Sequence, residues 1–137
     1  MEAWLEAAVQ QFPELKKYYV NPNDVNDIYI ESPTELWLDL EGWFYASIDK
    51  GDLEFQKRVL SFLRLCTSGT FGDESSPIQQ AIFCGFLWSI GRHQEVWSFL
   101  PKWFADSEFQ QFFPEISYGL SQYEKNELQS SYEKYKA

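Results

Sequence analysis

Few residues in this 137-residue chain have the types and spacing that catalysis or metal binding requires. His93 is the sole histidine, set just after Gly91-Arg92, so no second imidazole exists to share a metal or form a dyad. A surface or capping role is expected for it. Cys66 and Cys84 each lie in an apolar, helix-like stretch, which predicts buried thiols. Two cysteines without flanking ligand spacing make neither a disulfide framework nor a zinc site. No Gly-x-Ser-x-Gly, phosphate-loop or Gly-x-Gly-x-x-Gly pattern occurs. Asn23-Asp24-Val25-Asn26-Asp27 has a superficial likeness to a calcium loop, but it lacks the alternation of ligands, the central glycine and the twelfth-position glutamate. Carboxylate pairs remain, since a glycosidase needs only two at the right separation, yet no pair is singled out by its surroundings. The sequence therefore implies no enzyme, no cofactor and no metal. Binding is the chemistry that is left.

The charge balance says what would be bound. There are 21 Asp and Glu against 11 Lys and Arg, a formal net charge of −10. Disordered acidic tails are poor in aromatics, whereas 12 Phe, 8 Tyr and 6 Trp predict that this chain folds. Phosphate recognition rests on clustered Lys and Arg, which argues against nucleic acid or an anionic membrane and for a basic partner. The charge is also localised. No basic residue lies between Lys17 and Lys50, an interval holding Asp24, Asp27, Glu31, Glu35, Asp39, Glu41 and Asp49. Their summed field would steer a basic partner. Tyr29, Trp37 and Tyr45 are interleaved with them, and Tyr and Trp are residue types that anchor interfaces. The expected partner-binding set is Asp24, Asp27, Tyr29, Glu31, Glu35, Trp37, Asp39 and Tyr45. The same pattern also describes acids that merely solvate an amphipathic helix, with Trp37 and Tyr45 half buried at its flank. Gly42 and Ala46 would then admit close approach of another helix.

The elements that must position these residues are helical, because apolar residues recur at three- and four-residue spacing. The fold class is all-α: a compact bundle of about six to eight helices in one domain, residues 1–137. Helices are expected at about 3–11, in a short piece from Phe12-Pro13-Glu14-Leu15, and from Ser32 to about Asp49, where Leu36, Leu40, Trp43, Phe44 and Ser47 form the apolar stripe. Gly51-Asp52 closes that helix and opens the next, to about Ser68. Residues 20–32 read as an irregular acidic loop, rich in Asn, Asp and Pro. Ser76-Pro77 opens a helix apolar nearly all round and closed by Gly91. Another follows to Phe104, with Pro101 kinking or ending it. Asp106 is expected to cap a short helix through Phe113, with a further turn or two to Leu120. A terminal helix, 121–137, is expected to fray at its end. Ser32-Pro33-Thr34-Glu35, Ser76-Pro77-Ile78-Gln79 and Ser121-Gln122-Tyr123-Glu124 each have the grammar of a capping box. The two Ser-Pro starts lie 44 residues apart, which suits two stacked HEAT-like hairpins. The acidic start Met1-Glu2-Ala3-Trp4-Leu5-Glu6 and the absence of a long apolar run predict a soluble, cytoplasmic protein.

The segment Phe12-Pro13-Glu14-Leu15-Lys16, the acid-rich aromatic helix through Trp43, the Asp49-Lys50-Gly51-Asp52 turn, the Phe62-Leu63 helix and the Ile90-Gly91 to Trp97 to Leu100-Pro101 run carry a resemblance. Over about Phe12 to Leu120 the chain resembles a family of small helical bacterial proteins often found beside polymorphic or contact-dependent toxins, where they look like immunity proteins. The resemblance implies an inhibitor that binds a cognate toxin domain and carries no catalytic residues of its own. A basic nuclease toxin would match the acidic interval. The alternative is a non-enzymatic helical-repeat adaptor or regulatory binding domain. The aromatic content leaves apolar surface enough for a homodimer.

Overall fold

A computed structural model describes residues 2–18, 20–21, 24–28 and 30–136, without the side chains of residues 18, 20, 21 and 24–28. The architecture is all-α, with eight helical runs among the described residues and one small two-stranded ribbon. The chain divides into two compact units, Met1–Ala81 and Ile82–Ala137. The second Ser-Pro segment is split between them, so the 44-residue repeat does not set the unit boundary.

In the first unit, α1 (Ala3–Gln11) and the one-turn α2 (Leu15–Tyr18) precede strands β1 (Val20–Asn21) and β2 (Asp24–Ile28). The strands pair antiparallel, Val20 with Ile28 and Asn21 with Asp24, where an irregular loop was expected. The reason lies in the flanks of the turn-forming cluster. β-Branched Val20, Val25 and Ile28 favour extended backbone, and pairing satisfies peptide groups that a loop leaves to side chains.

Helix α3 (Pro33–Lys50) begins where Ser32 Oγ accepts the Glu35 N–H at 3.2 Å, with Pro33 in the first turn. It ends at Gly51, whose φ of +69° is the left-handed geometry glycine adopts without strain. The Asp52 N–H reaches back to Ser47 O at 2.9 Å, completing a Schellman turn. Asp52 then caps α4 (Leu53–Thr67), accepting the Phe55 N–H at 3.1 Å. Helices α3 and α4 pack as a hairpin, with α1 against α4 and α5 (Pro77–Ala81) against α3 and α4. Phe62 is central to this core: Trp37 stacks on it at 5.5 Å and Phe12 meets it edge-on at 5.8 Å. Arg58 ties α4 to the α1–α2 corner, pairing with Glu14 at 2.6 Å and lying over the rings of Phe12 and Phe55.

In the second unit, a π-helical stretch (Ile82–Leu87) runs into α6 (Trp88–Arg92). Its burial is one-sided. Ile82, Phe86, Leu87 and Ile90 are inside, while Cys84 and Trp88 are exposed. The expectation of two buried thiols therefore holds for Cys66 and fails for Cys84, which lies opposite the buried residues. A 3₁₀ segment (Gln94–Phe99) leads into α7 (Leu100–Trp103), and Pro101 sits in the first turn of α7, where it starts a helix and breaks none. Helix α8 (Asp106–Ile116) carries Pro114 near its end and continues past the expected stop at Phe113. Its N-cap is Ala105, not Asp106, and the Ala105 N–H donates to Glu108 at 3.1 Å. Asp106 instead accepts from Tyr132 and Lys136 of α9 (Gln122–Lys136), at 3.1 and 3.2 Å. Those bonds, and the Tyr132 ring stacked on Phe109 at 3.9 Å, tie α9 to the start of α8.

Candidate functional site

Formal charge is unequal between the units. Residues 1–81 carry fourteen acids against six bases, a net of −8, and residues 82–137 seven against five, a net of −2. The first unit therefore carries most of the net negative charge.

Within it, the eight expected partner-binding residues separate. Tyr29 lies outside the described residues, and Asp24 and Asp27 are backbone positions on β2 whose side chains are not described. Glu31 is exposed ahead of α3. Glu35 is partly buried and its carboxylate accepts the Glu31 N–H at 2.8 Å, so this side chain braces the helix start. Trp37 is only 2 % exposed and belongs to the core, which removes it as an interface anchor. Asp39, one turn beyond Glu35, is half-buried, and desolvation raises its carboxyl above the ordinary range. Tyr45 is half-buried with its ring edge-on to Phe44 at 6.2 Å. The close helix approach that Gly42 would admit is not made at that position: among the described residues, a Cβ there would have no neighbour within 4 Å.

What remains as an acidic surface is Glu31, exposed just ahead of α3, with Asp49 exposed and Glu41 partly exposed on the helix itself. None of these forms an ion pair among the described residues. Leu38, 60 % exposed, lies among them on the outer face.

A cleft was not anticipated. It opens where the end of α3 meets the start of α4, has a volume of about 210 Å³, and is lined by Glu14, Trp43, Ala46, Ser47, Lys50, Asp52 and Phe55. Its frame is the Schellman turn. Ser47 donates its hydroxyl to Phe44 O at 2.5 Å, and Gln56 reaches Ser47 O at 3.4 Å, so the floor is tied to both helices. The Asp49-Lys50-Gly51-Asp52 signal was visible in the sequence as a helix break. It also puts Lys50 and Asp52 side by side with the aromatic rings of the two helices it joins.

The second unit has its own exposed cluster. Arg92 stacks on Trp88 at 4.0 Å and donates to the carbonyls of Trp88, Ile116 and Tyr118. Gly119, at φ +81°, lies so close to this guanidinium that a Cβ would be 2.7 Å from it. His93 donates from Nδ1 to Ser89 O at 2.8 Å, which is a helix-end role. Among the described residues no group of three His, Cys, Asp or Glu side chains is placed to hold a metal, and no helix is long and apolar enough to cross a membrane. The chain matches no family model, no curated protein and no solved structure.

Proposed function

We propose that this chain is an immunity-type binding protein that acts in the bacterial cytoplasm, where it neutralises a basic toxin domain by direct contact and performs no reaction itself. The observation that carries this reading is the net charge of −8 on residues 1–81, with Glu31, Glu41 and Asp49 accessible on and beside α3 and making no ion pair among the described residues. Acids held without local counter-charge are costly to the fold's own electrostatics and favourable to an approaching cation. The sequence resemblance to toxin-associated helical proteins agrees with it.

The partner is expected to arrive quickly at low salt. Like-signed charges on one face raise the association rate, and screening within about 8 Å at physiological ionic strength removes much of that gain. The test is to look upstream of this chain for a large secreted protein with a variable C-terminal domain, and to co-express that domain with the chain. Growth should be restored. Replacing Glu31, Glu41 and Asp49 together by lysine should slow association at least tenfold in low salt and change little at high salt. Unrestored growth, or an unchanged rate at low salt, overturns the reading.

A further inference from the structure

The cleft at the α3–α4 corner has the size and lining of a receptor for one side chain. Its volume of about 210 Å³ lies below the roughly 300–1,000 Å³ of sites that enclose small molecules. Trp43 and Phe55 supply aromatic walls, while Glu14 and Asp52 supply carboxylates at the rim. An aromatic face beside a carboxylate selects a cation, and a planar guanidinium satisfies both at once.

This corner already holds one guanidinium in that manner. Arg58 lies 5.2 Å from the Phe55 ring centre while bonding Glu14 at 2.6 Å. Asp52 uses Oδ1 to cap α4, leaving Oδ2 for a ligand. Lys50 is the basic residue of the lining, and its exposed stem lets the ammonium stay in water as another cation enters.

Resting on the basic-partner reading above, we infer that this cleft receives an arginine side chain of the partner. The guanidinium stacks on Trp43 and bonds Asp52. The acids Glu31, Glu41 and Asp49 govern how fast the partner arrives; the cleft governs how long it stays.

Two variants of the full chain test this against the co-expressed toxin domain. Asp52→Asn keeps an N-cap, since Asn caps as well as Asp, but removes the charge. Trp43→Ala removes the aromatic wall. Each should weaken the complex about tenfold, chiefly through faster dissociation, with the low-salt association rate retained. A dissociation constant within twofold of the parent for both variants, alongside slower association for the lysine triple variant, overturns the cleft assignment and leaves the partner reading standing. No effect from any of the variants overturns both. A partner-independent arm uses N-acetyl-arginine amide as the probe. The Trp43 indole N–H resonance should shift saturably, more than with the lysine analogue, and lose the shift in Asp52→Asn. A shift equal to that produced by the same concentration of sodium chloride overturns the assignment.

Discussion

Trp37 and Trp43 lie three residues to either side of Leu40 on α3. The helical period puts Trp43 on the apolar stripe and leaves Trp37 at its flank. Phe62 decides: it stacks on Trp37, leaving Trp43 half-buried on the cleft. The two residues therefore exchange the roles that the sequence suggested. Trp37→Ala should cost about 3–5 kcal/mol, the usual loss for deleting a buried aromatic, measured by urea denaturation. The same change at Trp43 should cost less, roughly 1–2 kcal/mol, because Trp43 is only partly buried. Equal costs would mean that Phe62 does not discriminate between them. Tyr132 carries a second prediction at this scale. Burial, then the bond to Asp106, pushes its phenol up to about 12. In the unfolded chain the phenol titrates near 10. The folded state thus holds the proton more tightly, and the stability this represents is present below about pH 10 and lost as pH rises toward 12. Tyr132→Phe should cost about 1 kcal/mol at pH 8 through the lost hydrogen bonds and should flatten the alkaline decline between pH 10 and 12. A variant with the parent's decline would place its cause elsewhere.

At the level of elements, helix starts were the most legible feature, because a cap is a local bargain among four residues. Ser121 and Glu124 exchange both bonds of a capping box, at 3.0 and 3.1 Å. The Ser121 N–H, and after it the Ser121 hydroxyl, hold the Glu124 carboxyl below the ordinary range. Ser32 and Ser76 keep the cap itself, but their glutamate and glutamine partners are used otherwise: Glu35 accepts from Glu31, and Gln79 donates to Gly72 O at 2.8 Å. Ser121→Ala should therefore cost about 1 kcal/mol and speed hydrogen exchange at the first amides of α9. No change in those amides would show that α9 is held by Leu128 and Tyr132 alone. The less legible elements depend on distant contacts. Gly91 reads as a helix stop, yet it lies inside α6 and is small because the Ile116 carbonyl occupies the space of its Cβ. Gly91→Ala should cost about 2–3 kcal/mol, as overpacking does. The acidic interval was legible as charge but not as a surface, because its division among cap, core, strand and exposed positions is set by α4 and by β-pairing.

Over the whole molecule, the net charge of −10 acquires a location, with −8 on residues 1–81. That inequality makes a prediction about stability that needs no partner. Like charges on one compact unit repel, and the repulsion lowers its stability until it is screened. Raising sodium chloride from about 10 mM to 150 mM shortens the screening length from about 30 to 8 Å, which is shorter than the first-to-last span of α3. The slow-exchanging amides of α3 and α4 should then gain protection, while those of α8 and α9 change little, since seven acids there face five bases. Neutralising the three accessible acids, by Glu31→Gln, Glu41→Gln and Asp49→Asn, should reproduce part of the salt effect in α3 and α4 and reduce what further salt adds. Native-state hydrogen exchange followed amide by amide reads both units in one experiment. Equal gains in the two units would show a general effect of salt on folding, and the charge would then be a property of the surface as a whole. An unequal gain that the neutral variant shares means that the fold gives up stability to hold these acids unpaired, as expected of a surface whose counter-charges come from another molecule.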